Sequence, residues 1–102
     1  MAVTKIDEYE VMYSANSFPP RIWLKSAGKF IGQLIFLPNG SSLPPDATSG
    51  GGVNVYYHLA HFQNAIDLLR NEKPMFLSFA GSGGLNENGI KTTAEPVGEG
   101  EA

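Results

Sequence analysis

Cysteine is absent from this 102-residue chain, which excludes disulfides, thiolate metal sites and cysteine nucleophiles. Long apolar runs are missing too. The longest, LIFL at 34–37, is far shorter than the ~20 residues that cross a bilayer as a helix. The polar, charged first residues also lack the basic and apolar regions of a secretion signal. We therefore expect a cytoplasmic protein with no membrane partner.

An excess of basic residues is also lacking. Seven Lys and Arg residues stand against ten Asp and Glu residues, which gives a formal net charge of -3. Three of the acids, Glu95, Glu99 and Glu101, form an acidic C-terminal tail, so the rest of the chain is close to neutral. A uniformly basic surface for nucleic acid is excluded, and an anionic partner would need a local basic patch.

Motifs for catalysis or cofactor binding are missing as well. His58 and His61 are the only histidines, and they have no clustered third ligand of the kind that zinc sites use. No GxSxG nucleophile elbow is present, and the glycine clusters lack the GK[ST] ending of a phosphate-binding loop. We predict a non-enzymatic protein with no catalytic residues, no metal site and no cofactor.

Apolar residues are plentiful enough for one folded domain over residues 1–102. Hydrophobic residues make up 42% of the chain and aromatic residues 11%, which supports one core but not two at this length. The ends have a different character, because residues 1–7 lack a clear period and residues 95–102 are acidic and rich in glycine. We expect both ends to be flexible.

Strand patterns dominate between these ends. Alternation and β-branched or aromatic runs predict six strands, over residues 8–13, 21–26, 29–37, 53–57, 75–80 and 89–94. Ala27-Gly28 between the second and third strands predicts a tight hairpin. Residues 38–52 hold three prolines and four glycines and predict a long loop, which either is a solvated connection or has a function.

One amphipathic helix follows the fourth strand. Leu59, Phe62, Ile66 and Leu69 recur at helical spacing, with polar residues opposite them. Pro74 disfavours helical geometry at the preceding residue, so the helix should end near residue 71 or 72. The predicted fold class is α+β, a mostly antiparallel curved sheet in the order β-β-β-β-α-β-β with the helix packed on it.

Half of the chain, from Arg21 to Leu69, resembles a known family. The Gly28-Lys29 turn, the proline- and glycine-rich loop, the strand entered through glycine and the Phe62-Gln63 pair opening the helix are similar to single-stranded-DNA-binding transcriptional coactivators (positive cofactor four). Whirly-type proteins and some small uncharacterised bacterial proteins share that layout. The resemblance implies a four-stranded curved sheet, a helix across its back, dimerisation and binding of single-stranded DNA.

The chain also departs from that family. Residues 48–52 (TSGGG) carry no charge where the coactivators have basic residues, and residues 75–94 extend beyond the helix at which the family ends. These departures affect the DNA-binding inference more than the inference about fold, because a fold does not determine function.

Counting from the Ala27-Gly28 turn assigns the hairpin residues to two faces. The first face is aromatic and cationic, and the second is aliphatic. The first holds Arg21, Trp23, Lys25, Phe30, Leu34 and Phe36; the second holds Ile22, Leu24, Ile31, Ile35 and Leu37, with Gln33 as its only strongly polar residue. The aliphatic face is expected to receive the helix, which leaves the aromatic-cationic face as a candidate interaction site.

Two interpretations of that site stay open. The favoured one is a dimer interface or a second core, in a homodimeric binding or assembly domain. In the alternative, aromatic side chains stack on unpaired bases while cations hold phosphates of a single-stranded nucleic acid. The candidate binding residues are Arg21, Trp23, Lys25, Lys29, Phe30 and Phe36.

Overall fold

The computed structural model describes residues 2–83 and 85–93, without the side chain of Ala2. This part of the chain contains eight strands, and a 3₁₀ turn at Leu59–His61 leads into helix α1 at Phe62–Asn71. The strands are β1 Ala2–Ile6, β2 Glu8–Met12, β3 Arg21–Ser26, β4 Lys29–Leu37, β5 Ala47–Ser49, β6 Gly52–His58, β7 Met75–Phe79 and β8 Gly89–Lys91. The predicted α+β class is confirmed, as is the end of the helix at Asn71.

The strands form two open sheets. A five-stranded sheet has the order β2-β3-β4-β6-β5, and a three-stranded sheet has the order β1-β7-β8. All paired neighbours run antiparallel except β4 and β6, which are parallel. The predicted antiparallel character is therefore confirmed. The sequence predicted a single sheet, and the family resemblance implied a sheet of four strands. The structure instead has two sheets. Its two strands beyond the six predicted are β1, which pairs with β7, and β5, which pairs with β6.

The chain passes from one sheet to the other at Asp7, between β1 and β2. Its backbone N–H donates to the Lys25 carbonyl oxygen at 2.8 Å, and its carboxylate accepts the Ala27 N–H at 2.6 Å. Residues 2–7 belong to the end that was predicted to be flexible; within them β1 pairs with β7, and Ile6 belongs to the core. That pairing partner is remote in sequence, so no local pattern indicates it. The other predicted flexible end, 95–102, lies outside the described residues.

The hairpin between β3 and β4 turns at Ala27-Gly28, as predicted. Ala27 has φ 52° and Gly28 has φ 81°, the two positive values of a type I′ turn. A positive φ is costly for alanine. The hydrogen bond from Ala27 to Asp7 fixes the turn at that residue.

A β-bulge in β4 changes the register of the hairpin. Lys25 pairs with Phe30, but Leu24 pairs with Gly32, so Ile31 is an extra residue without a partner on β3. Uninterrupted counting from the turn would pair Trp23 with Gly32 and Arg21 with Leu34, whereas Trp23 pairs with Gln33 and Arg21 pairs with Ile35. Beyond the bulge every β4 side chain lies on the face opposite to the predicted one, because strand side chains alternate with period two.

The core lies between the inner face of the five-stranded sheet and a second layer. That inner face contributes fully buried side chains from three strands: Ile22, Leu24, Leu34, Phe36 and Val55. The second layer consists of α1, which buries Ala65, and of the three-stranded sheet, which buries Ile6, Met75 and Leu77. The helix and the three-stranded sheet both cover the inner face of the five-stranded sheet. Neither of them covers its opposite face, which we term the outer face.

Because β4 and β6 approach each other closely at Gly32, we predict that Gly32→Ala lowers the stability of the fold by an unusual amount. An added Cβ would lie 2.7 Å from the Val53 carbonyl oxygen and 2.9 Å from its Cγ2 atom. We expect the free energy of unfolding in urea to fall by about 2–3 kcal/mol, because the backbone must move. Gly40→Ala is the control, since a Cβ there meets nothing within 4 Å and only its φ of +83° is unfavourable, at about 1 kcal/mol. Equal losses would contradict the close approach.

Candidate interaction face

The outer face presents one row of side chains from each strand. The β2 row is acidic at two positions, the β3 row is basic and aromatic, and the β4 and β6 rows are polar and aromatic. In pairing order the rows are Glu8, Glu10 and Met12 on β2; Lys25, Trp23 and Arg21 on β3; Gln33 and Ile35 on β4; Asn54 and Tyr56 on β6. The face therefore combines both signs of charge around an aromatic centre.

Arg21 lies between two aromatic rings. Its guanidinium carbon is 5.6 Å from the centroid of the Trp23 ring and 5.8 Å from that of Phe18. Such contacts between a cation and aromatic faces are attractive, and Arg forms them more often than Lys. Phe18, which was not among the predicted binding residues, is 63% exposed and lies just before β3. The three side chains form a stack within a single copy of the chain.

A chain of side-chain hydrogen bonds crosses three strands beside this stack. Trp23 Nε1–H donates to Gln33 Oε1 at 3.0 Å, and Gln33 Nε2–H donates to Asn54 Oδ1 at 3.0 Å. The three residues are direct cross-strand partners, so their side chains share one row across the sheet. Trp23 is half-buried, and its polar atom is satisfied within the sheet. The indole orientation is thereby fixed.

Acidic residues compensate the basic row. Lys25 Nζ and Glu10 Oε2 form an ion pair at 3.0 Å. The hydrogen bond to Glu10 and then its negative charge raise the pKa of Lys25. Glu8, the direct partner of Lys25 on β2, acts in the same direction through its charge. The outer face is therefore not a positive surface but an acidic row beside a basic row.

Four of the six predicted binding residues lie together on this face. Arg21, Trp23 and Lys25 form the β3 row, and Phe30 pairs with Lys25. Lys29 pairs with Ser26 at the hairpin end, where alternation sends its side chain to the other side of the ribbon.

Phe36 is the clear correction among the predicted site residues. It is 1% exposed and packs in the core against the rings of Tyr57 and Phe62. The bulge moved it, together with Leu34, from the predicted aromatic-cationic face to the inner face, and it moved Ile35 to the outer face. The signal for this was Gly32, because an isolated glycine inside a strand indicates a bulge or a close backbone approach.

The predicted loop over residues 38–52 borders this face, and hydrogen bonds anchor it at three points. Asn39 Oδ1 accepts the Ala60 N–H at 2.8 Å, and the Ser41 carbonyl oxygen lies 2.8 Å from His58 Nε2. Asp46 accepts the Tyr56 N–H at 2.9 Å and the side-chain amide of Asn88 at 3.0 Å. The loop also contains β5, so it is a bonded part of the sheet edge.

No protein-family model, no curated protein and no solved structure matches this chain. Within residues 2–83 and 85–93, no group of three or more His, Cys, Asp or Glu side chains is placed to hold a metal ion. No helix in this part of the chain is long and apolar enough to span a membrane.

The hydrogen-bonded row predicts a loss of stability in Gln33→Leu. The leucine leaves Trp23 Nε1 without its acceptor and Asn54 without its donor, so we expect unfolding to become easier by about 1–2 kcal/mol. Gln33→Glu is the matched control at neutral pH, since its carboxylate accepts from Trp23 and from a turned Asn54 amide. Urea unfolding followed by the fluorescence of Trp23, the one tryptophan, measures both. Wild-type stability in Gln33→Leu would show that the row contributes nothing.

Proposed function

We propose that this chain is a non-enzymatic binding and assembly domain that forms a homodimer through the outer face. The observation that carries the proposal is the Phe18–Arg21–Trp23 stack on a sheet face that neither the helix nor the second sheet covers. Trp and Arg dominate the energetic centres of protein interfaces. Because the stack forms within a single copy of the chain, less conformational entropy is lost on binding.

Binding is favoured over catalysis by how the polar groups of the face are used. Trp23, Gln33 and Asn54 direct their hydrogen bonds at one another, and Lys25 is paired with Glu10. Groups arranged in this way fix the shape of a surface. A catalytic site instead places a nucleophile or base where its reactive atom can reach a substrate.

A second copy of the chain is the partner that the charge pattern fits. A two-fold interface brings the same patch of both subunits together, so the patch must complement itself. A two-fold axis along the strands between β2 and β3 lays the acidic row of one copy over the basic row of the other. Glu8 then faces Lys25 of the second copy, Glu10 faces Trp23, and Met12 faces Arg21.

Pairing of two copies through the β2 edge is disfavoured by the same residues. Antiparallel pairing centred on Tyr9 or Glu10 sets glutamate opposite glutamate, and like charges directly opposite each other destabilise a sheet. Charged side chains are a common means of protecting edge strands. Face-to-face packing is therefore the arrangement that we propose.

The alternative is single-stranded nucleic acid on the outer face. Trp23 and Phe30 would supply stacking surfaces, and Arg21 would supply a positive charge. Glu8 and Glu10 in the adjacent row oppose this by repelling phosphates. The homodimer is the stronger proposal because it uses both rows.

Complementary charge reversal tests the dimer. We expect Arg21→Glu/Lys25→Glu to make the face uniformly acidic and Glu8→Lys/Glu10→Lys to make it uniformly basic. Each variant alone should dissociate at least a hundred times more readily than wild type, about 3 kcal/mol, because like charges meet. An equimolar mixture should restore the dimer in sedimentation velocity, since opposite faces then meet.

The control for this experiment is Asp67→Lys/Glu87→Lys, which reverses two exposed acids away from the face. It should sediment like wild type. Thermal unfolding establishes that every variant is folded. A wild-type monomer at all concentrations, or a mixture that stays monomeric, would contradict the proposed dimer.

A further inference from the structure

The three-stranded sheet carries a cationic and aromatic row on the side away from the core. Lys5 on β1 pairs with Phe76 on β7, and Phe76 pairs with Lys91 on β8. Alternation sends these side chains outward, because their neighbours Ile6, Met75 and Leu77 lie in the core. Both lysines are exposed and Phe76 is half-buried. We term Lys5, Phe76 and Lys91 the lysine row.

The charges around the lysine row differ from those of the outer face. None of the three strands contains an acidic residue. The ion pair found between described residues joins Lys25 to Glu10 in the other sheet, and no described residue pairs with Lys5 or Lys91. Among residues 2–83 and 85–93, the positive charges of Lys5 and Lys91 are therefore not neutralised by an ion pair.

We propose that the lysine row binds single-stranded nucleic acid. An aromatic ring flanked by two cations is the arrangement that accepts an unpaired base on the ring and phosphates on either side. β7 is the central strand, so Phe76 lies midway between the two lysines. With strands ~4.8 Å apart, the lysine Cα atoms are separated by about 10 Å, and a strand crossing the sheet can meet all three residues. This site is distinct from the outer face and does not depend on the dimer.

A duplex and an acidic polypeptide fit the row less well. The bases of a duplex are stacked inside it and cannot lie on Phe76. An acidic polypeptide offers carboxylates to the lysines but no planar ring for Phe76. We therefore expect the order of affinity to be single strand, then duplex, then polyglutamate of matched charge.

Fluorescence anisotropy with a labelled oligothymidylate at low salt tests the site. Lys5→Glu/Lys91→Glu should weaken binding at least about tenfold. Two phosphate contacts give a slope of log K against log salt of about −1.4, and Lys5→Ala should reduce it to about −0.7. Phe76→Leu should weaken binding about fivefold with the slope unchanged, since stacking is lost while both charges remain.

The matched controls lie outside both surfaces. Arg70→Glu/Lys73→Glu alters the net charge by the same amount at two exposed cations, and Tyr13→Leu removes an exposed aromatic ring. Both should bind as wild type does. Circular dichroism establishes that each variant is folded. The inference is overturned if wild type fails to bind the oligonucleotide, if polyglutamate binds equally well, or if the control charge reversal abolishes binding while the lysine-row reversal does not.

Discussion

The arrangement of the five-stranded sheet depends on the contact between β4 and β6 at Gly32. A side chain there would meet the backbone of Val53, so only glycine lets the two parallel strands approach along this line. The unpaired Ile31 immediately before it resets the alternation of β4. From that point Leu34 and Phe36 enter the core, and Gln33 and Ile35 turn outward. Both the packing of the core and the composition of the outer face follow from this local irregularity.

How far the sequence predicts this fold depends on the range of the interactions involved. The turn at Ala27-Gly28 and the end of α1 before Pro74 are dictated by neighbouring residues, and both were predicted correctly. The strand β1 and the bulge at Ile31 depend on contacts with distant segments, and both were missed. The site was affected accordingly: Arg21, Trp23 and Lys25 lie on one strand before the bulge and stay together, whereas Phe36 follows the bulge and is lost to the core.

The charges of this near-neutral chain are divided between two surfaces of different character. On the outer face acids and bases alternate by strand and neutralise one another, which suits an interface between identical subunits. On the three-stranded sheet Lys5 and Lys91 flank Phe76 without acids in their strands, which suits an anionic ligand. The net charge of −3 gives no indication that the two surfaces differ in this way. The shared core separates the two surfaces, so each is able to act without the other.

The pairing of β1 with β7 has a consequence for biosynthesis. Ala2–Ile6 is synthesised well before its hydrogen-bonding partner Met75–Phe79, because about 70 residues lie between the two strands. Until then Ile6 has no core to enter, and the backbone groups of β1 have no strand to pair with. Closing so long a loop costs entropy that slows folding. β1 therefore stays unpaired during synthesis, and completion of β7 is the step that ends that exposure.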